Sequence, residues 1–110
     1  MKHSLIAMIT AIFTAILLTV SADAATITVN TLVDENNTNA AACSLREAIN
    51  NANNDSATNG SGCVAGAGTD VINITVNGTI TPTAVLPTIS TSMSITGNGA
   101  SSLTVSGNDA

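Results

Sequence analysis

The sequence predicts a mainly-β fold that contains one α-helix. After residue 70 the chain consists of short runs rich in β-branched residues, such as DVINITVNG and TITPTAVLPTI, divided by Gly, Asn and Pro. The segments INITVNG (72–78) and MSITGNG (93–99) resemble each other, and LTVSGND (103–109) resembles both. The first two lie about 21 residues apart, a spacing that suits one turn of a parallel β-helix. A small antiparallel sandwich also spaces its strands this closely.

The first 24 residues, MKHSLIAMITAIFTAILLTVSADA, have the pattern of a secretory signal peptide. A basic start is followed by an apolar run from Leu5 to Val20 and by the small residues of Ala22-Asp23-Ala24. The run is shorter than the roughly 20 residues that a membrane-spanning helix needs. We therefore expect cleavage between Ala24 and Ala25, a secreted, extracellular or cell-surface protein, and no membrane span after signal removal.

The residues after the signal offer little chemistry for catalysis or for binding nucleic acid. The formal net charge is −5, and the only Phe, Lys and His (Phe13, Lys2 and His3) all lie in the signal. Phosphate binding needs Lys and Arg, of which Arg46 alone remains, so we expect no nucleic-acid partner. A catalytic triad with histidine is excluded, and we expect no enzyme activity. The remaining acids are Asp34, Glu35, Glu47, Asp55, Asp70 and Asp109.

The two cysteines, Cys43 and Cys63, lie in a chain that we expect to be exported, where thiols are commonly oxidised. A bond between them would close a loop of about 20 residues and contribute roughly 3 kcal/mol. A free thiol and an intermolecular bond remain alternatives. A zinc site would need more Cys or His ligands, and we expect neither a metal nor a cofactor.

The first strand is predicted in ATITVNTLVDE (25–35), where Ile27 and Val29 alternate with polar residues. This period of two indicates a half-buried strand. The stretch DENNTN (34–39) follows and offers oxygen ligands of the kind that Ca²⁺ prefers. Because it lacks the Gly and the bidentate Glu of an EF-hand loop, we favour a simple turn.

The helix is predicted in CSLREAINNANN (43–54), where Ser44 and Glu47 have the spacing of a capping box. Four residues at i, i+3, i+4 and i+7 form an apolar stripe, here called the lid face: Leu45, Ala48, Ile49 and Ala52. The other residues are predicted to face solvent: Arg46, Asn50, Asn51, Asn53 and Asn54. Adjacent helix residues do not face each other, so Arg46 and Glu47 are predicted to be structural, with Arg46 paired to an acid.

A loop rich in Asn, Ser and Gly occupies residues 53–70. Loops of this length usually need an attachment, and a bond from Cys63 to the start of the helix would provide one. Asp55 and Asp70 flank the loop and are predicted to be turn or cap residues. We divide the chain into a signal peptide (1–24), an N-terminal cap (25–69) and an incomplete set of β-helix rungs (70–110).

Several short motifs follow one another along the chain in a distinctive order. The strand TITVNTLVDE precedes CSLREA (43–48) and INNAN, a second cysteine precedes DVI, and LPTI leads into SITGNGASSLTVSGN. Residues 25–108 thereby resemble the CSLREA-motif module at the front of secreted bacterial right-handed parallel β-helix repeat proteins. The resemblance implies an N-terminal strand and one capping helix leading into the first rungs of a pectate-lyase-like parallel β-helix.

The resemblance implies a non-catalytic N-terminal cap of an exported repeat protein, at the cell surface and in adhesion. The lid face would cover the open apolar end of the β-helix. The partners would be downstream rungs of a longer chain and a surface glycan or protein. The alternative is the leading end of a carbohydrate-active enzyme, a polysaccharide lyase or hydrolase, whose active site lies beyond this chain; only fold analogy suggests it.

The repeats also suggest a truncated product. Repeat arrays need about three or more units, and unpaired strand edges favour association. We therefore expect a fragment of a longer protein that can self-associate through its open rung.

Overall fold

The computed structural model describes residues 23–107, so most of the predicted signal peptide and the last three residues lie outside the described part. The elements, in chain order, are β1 (Thr26–Val29), α1 (Leu45–Asn54), β2 (Asp70–Ile74), β3 (Gly78–Ile80), β4 (Met93–Thr96) and β5 (Leu103–Val105). The prediction of a mainly-β chain with one helix is confirmed.

The strands form two small sheets in which neighbours run parallel. One sheet has the order β1-β2-β4, and the other pairs β3 with β5. Every strand pair within residues 23–107 is parallel, so an antiparallel sandwich does not describe this arrangement. The chain passes from the first sheet to the second at β2–β3 and repeats that path at β4–β5.

The strand register differs from the spacing that the repeats predict. Aligning INITVNG with MSITGNG places Ile72 opposite Met93, whereas the structure pairs Ile72 with Ile95. The side chains of Asn73 and Thr96, in this same register, are bonded across 23 residues of sequence. The turn residues Asn77 and Asn98 are bonded across 21. The spacing of 21 therefore holds for the turn and not for the strands.

The third similar segment, LTVSGND, lies beside a different part of the chain than its sequence suggests. Its strand β5 pairs with β3, with Leu103 opposite Gly78, and takes no part in the sheet of β2 and β4. Short β-branched runs have similar sequences in either sheet. The alternating pattern predicts a strand but does not specify which sheet the strand joins.

The run TITPTAVLPTI contributes less strand than its composition suggests. Strand β3 ends at Ile80, and no strand forms from Thr81 to Ile89. Pro82 and Pro87 interrupt the run, and proline cannot donate a backbone N–H to a strand ladder. This irregular segment passes alongside the helix.

The core lies between the helix and the first strands. Ile27 and Val29 of β1 are fully buried while Thr26 and Thr28, which alternate with them, are exposed, as the pattern predicts. Helix α1 packs against β1 and β2. The apolar core consists of Ile27, Val29, Cys43, Leu45, Ala48, Ile49, Ala52, Cys63, Ile72, Ile74 and Ile80.

Candidate functional site

The start of the helix is built around two buried polar residues, Ser44 and Glu47. The Ser44 Oγ accepts from the Glu47 amide at 3.2 Å, and the Ser44 amide donates to Glu47 Oε2 at 2.9 Å. This is the capping box in its two-bond form. The other carboxylate oxygen, Oε1, accepts from the Asn37 amide at 2.7 Å. Both oxygens of Glu47 are therefore engaged with backbone donors, and the side chain is fully buried.

Arg46 makes the ion pair that the sequence predicts, with Asp34. Its Nε and Nη2 donate to the two carboxylate oxygens of Asp34 at 2.9 and 2.8 Å, a bidentate geometry. The side chains of Arg46 and Asp34 are 14% and 2% exposed. The expectation that Arg46 faces solvent is wrong, because the loop that carries Asp34 folds over this face of the helix.

The same ion pair reaches the irregular segment after β3. Arg46 donates to the carbonyls of Ala84 and Val85, and Asp34 Oδ2 accepts from the amide and hydroxyl of Thr83 at 2.7 and 2.9 Å. The hydrogen-bonded guanidinium lowers the pKa of the Asp34 carboxyl to about 2, with Thr83 acting in the same direction against burial. Asp34 in turn raises the pKa of Arg46. The ion pair therefore joins the loop that carries Asp34, helix α1 and the irregular segment after β3.

The side chains of the stretch DENNTN form hydrogen bonds with the backbone of their own loop and with the helix. Glu35 Oε2 accepts from the Thr38 amide at 3.2 Å, and Asn39 Oδ1 accepts from the Ala41 amide at 3.0 Å. Such short-range bonds are typical of turns. Among residues 23–107, no group of three or more His, Cys, Asp or Glu side chains is placed to hold a metal ion.

The disulfide between Cys43 and Cys63 is present, and it joins the residue before the helix cap to the long loop. Asn51 supports this junction from the helix. Its Nδ2 donates to the Val64 carbonyl at 3.0 Å, and its Oδ1 accepts from the amide of Thr58 at 3.2 Å and from the Thr58 hydroxyl. Asn51 is 1% exposed, so its predicted solvent-facing position is wrong.

Asn53 departs from the predicted solvent face in a similar way. Its Nδ2 donates to the Thr88 carbonyl at 2.8 Å, and its Oδ1 accepts from the Ser90 amide at 2.9 Å. Asn50 is half-buried, and Asn54 is exposed. The polar face of the helix is therefore largely a set of attachments to neighbouring segments. One signal could have revealed it, since Asn is a poor helix former and four occur in ten residues.

The lid face is buried along its whole length. Leu45, Ala48, Ile49 and Ala52 are each at most 5% exposed, and the helix that carries them packs against β1 and β2. Strand β1 lies at the edge of the sheet β1-β2-β4, and the helix contacts this edge strand and its neighbour β2.

The two acids that flank the long loop have different surroundings. Asp55 is the C-cap of α1, with a left-handed φ of 48°, and its amide donates to the Asn51 carbonyl. Asp70 starts β2 and is fully buried. Its Oδ1 accepts from the amides of Ala67 at 2.8 Å and Ala25 at 3.1 Å. Asp55 therefore has a cap role as predicted, whereas Asp70, predicted to be a turn or cap residue, is a buried residue of β2.

The opposite end of the strand stack is exposed. Ile95 of β4 and Val105 of β5 are 41% and 45% exposed. An apolar groove of about 270 Å³ lies between the end of β5 and the irregular segment after β3, where Val85 is 76% exposed, and is lined by Pro82, Ala84, Val85, Leu86, Val105, Ser106 and Gly107. No charged side chain and no histidine or cysteine is among these lining residues.

Comparisons with protein-family models, with curated proteins and with solved structures each find no match to this chain. Within the described residues, no helix has the length and apolar character needed to cross a membrane.

Proposed function

We propose that this chain is the non-catalytic N-terminal cap of an exported, right-handed parallel β-helix repeat protein that acts at the cell surface in adhesion. The observation that carries the proposal is the contrast between the two ends of the strand stack. The end at β1 is covered by the helix, whereas the end at β4 and β5 presents apolar side chains.

The path of the chain supports a β-helix. Two successive passes, β2–β3 and β4–β5, lie parallel and in register. Ile27, Ile72 and Ile95 follow one another across the first sheet. Aligned aliphatic columns of this kind are what stacked repeats use as a continuous core.

The helix and its attachments support a capping role. An open end of a strand stack leaves apolar side chains and strand edges uncovered, and end repeats of such proteins need a cover. Here the lid face meets β1 and β2, and the capping box, the Arg46–Asp34 pair and the disulfide attach the helix to its loops. Each attachment fixes the orientation of the buried face.

The polar residues of the motif support a structural role. Arg46 is bonded to Asp34 and to two carbonyls, and Glu47 accepts from two amides. A general acid or base must reach a substrate proton, and both groups face protein partners. The setting, export and adhesion, rests on the predicted signal peptide and on the resemblance to the CSLREA-motif module.

The capping role is tested by Leu45→Asp in the protein as it is secreted. The charge enters a side-chain position that is 5% exposed, and burial of an unpaired charge is strongly destabilising. We expect a large fall in melting temperature or aggregation. Asn50→Asp, which adds the same charge to the half-buried polar side of the helix, is the control and should change little. An unchanged melting temperature for Leu45→Asp would contradict the cap.

The setting is tested on the secreted protein from its native host. Intact mass, before and after reduction with alkylation, reports the signal cut, the disulfide and the true C-terminus. Incubation with acidic and neutral polysaccharides then separates a cap of an adhesion protein from a carbohydrate-active enzyme. New reducing ends or newly formed double bonds would support the enzyme and contradict the proposal.

A further inference from the structure

We propose that signal cleavage creates an α-ammonium group at Ala25 that forms a buried ion pair with Asp70, so that processing itself stabilises the mature fold. This inference rests on the predicted cut between Ala24 and Ala25. It does not depend on the capping function proposed above.

Asp70 is a buried carboxyl group with one oxygen unsatisfied. The residue is 0% exposed, and its Oδ1 accepts from the Ala67 and Ala25 amides at 2.8 and 3.1 Å. Its Oδ2 is buried and has no hydrogen-bond partner among the described residues. Buried polar atoms are nearly always paired, and a buried charge is costly unless an opposite charge compensates it.

The described residues contain no cation that could compensate Asp70. Arg46 is the one Lys or Arg between residues 23 and 107, and it lies 2.8 Å from Asp34 in a bidentate pair. A compensating charge for Asp70 must come from another source.

The backbone nitrogen of Ala25 is already at the carboxylate. It lies 3.1 Å from Asp70 Oδ1 and 3.2 Å from the Ala67 carbonyl oxygen. The Ala25 carbonyl accepts from the Val71 amide at 2.9 Å, next to the paired strands β1 and β2. The sheet therefore holds this nitrogen beside Asp70.

Hydrolysis of the Ala24–Ala25 bond changes that nitrogen chemically. Water adds across the peptide bond, Ala24 leaves with a carboxylate, and Ala25 keeps an ammonium group. The amide has one proton to donate, whereas the ammonium has three and a positive charge. Two of its protons suit Asp70 Oδ1 and the Ala67 carbonyl, and the third is available to the unsatisfied Oδ2. Asp23 and Ala24 are exposed, which suits access by a peptidase.

The consequence is a difference in stability between precursor and mature protein. Before cleavage, the carboxylate is buried against two amides, those of Ala67 and Ala25, and lacks a counter-charge among the described residues. After cleavage, the same site holds a hydrogen-bonded ion pair, and removing one partner of such a pair is strongly destabilising. The signal-bearing chain is therefore the less stable form.

The test compares two forms of the protein, each carrying everything that follows residue 24 in the native protein. One form begins at Ala25, and the other retains Ala24, so that its charge lies one residue away; intact mass verifies each first residue. Asp70→Asn is made in both. We expect it to lower the melting temperature of the Ala25 form by at least about 5 °C. The fall in the Ala24 form should be less than half as large.

Equal losses in the two forms would overturn the inference and leave Asp70 as a hydrogen-bond acceptor for the Ala67 and Ala25 amides alone. A native secreted protein whose first residue is not Ala25 would also overturn it. If Asp70→Asn does not fold, the two unsubstituted forms decide. The Ala25 form should melt at the higher temperature, and its α-amine should react more slowly with an acylating ester. Equal melting temperatures and equal rates would contradict the ion pair.

Discussion

Strands β2 and β4 carry the same residue in register, yet the two side chains lie in different environments. Ile72 of β2 is 0% exposed, and its partner Ile95 of β4 is 41% exposed. The second sheet repeats the contrast, since Ile80 of β3 is 2% exposed and its partner Val105 of β5 is 45% exposed. The residue types and the parallel pairing are alike, so neither accounts for the difference.

The difference comes from what lies beyond each strand. Strand β2 has β1 on one side, β4 on the other, and the helix packed against it. Within residues 23–107, β1, β3, β4 and β5 each pair on one side only, but the helix packs against β1 and β2. One end of the stack therefore buries its aliphatic side chains, while the other needs a further layer to do the same.

The largest loss of stability should come from truncating Ile72, the buried member of the pair Ile72 and Ile95. Ile72→Ala removes a fully buried side chain, and we expect a loss of about 2–5 kcal/mol in the free energy of unfolding. Ile95→Ala, at the partly exposed partner position, should cost less than about 1 kcal/mol. Thermal and urea unfolding of the two variants measure both values.

A chain that continues past residue 110 would test the contrast between Ile72 and Ile95. If a further rung follows in the native protein, it should cover Ile95, and the cost of Ile95→Ala should then approach that of Ile72→Ala. Equal costs in the chain that ends at residue 110 would contradict the contrast between the two ends.

Loss of the disulfide should act most strongly on the part of the molecule that contains the helix. Replacing Cys43 and Cys63 together by Ser opens a loop with a sequence separation of 20, and we expect a loss of about 3 kcal/mol. Hydrogen–deuterium exchange should show faster exchange in the helix and the 55–66 loop. Faster exchange confined to β4 and β5 would contradict the assignment of the disulfide to the helix end.

A smaller loss is expected where the long loop touches the helix backbone. A Cβ atom added at Gly66 would collide with the Asn51 carbonyl oxygen and lie 2.8 Å from the Ala52 Cα. We expect Gly66→Ala to cost about 1–3 kcal/mol, because neither backbone atom can move freely. Gly107→Ala is the control, since its added Cβ has open space, and it should unfold like the parent protein in urea.

The smallest effect concerns the ion pair that joins the helix to its neighbours. The pKa of Asp34 is lowered from 3.8 to about 2, so its contribution is complete above pH of about 4 and is lost as the pH falls towards 2. After allowance for solvent screening, we expect about 1 kcal/mol. Urea unfolding at several pH values measures the decline.

Asp34→Asn is the matched control for this titration. It should be less stable than the parent at neutral pH and should lose less stability between pH of about 4 and 2. Parallel pH profiles for the two proteins would show that the Arg46–Asp34 pair does not contribute to acid stability.

Local patterns of sequence predicted the local structure well. The alternation around Ile27 and Val29 predicted β1, and the spacing of Ser44 and Glu47 predicted the start of the helix. Both depend on residues within one turn or one strand, where the physical cause and the sequence signal coincide. The pairing of two cysteines had a single internal solution, and the structure contains it.

Predictions that depended on distant residues were less successful. Asn51 and Asn53 were expected in solvent, but segments that arrive from elsewhere in the chain supply their partners. The spacing of the repeats aligned the turn residues Asn77 and Asn98, yet it misplaced the strands by two residues. The similarity of the two segments does not show that the second pass has two residues fewer than the first between its strand and its turn asparagine.

The sequence alone was enough to predict where the helix begins and which residues of β1 are buried, because capping and alternation act over a few residues. Tertiary structure alone decided which sheet each strand joins, which asparagines are buried, and that Asp70 lies against the nitrogen of Ala25. Those outcomes depend on contacts between residues far apart in the chain, such as the 45 residues that separate Ala25 from Asp70. Their free energies arise only when the chain has folded and water has been removed from between them.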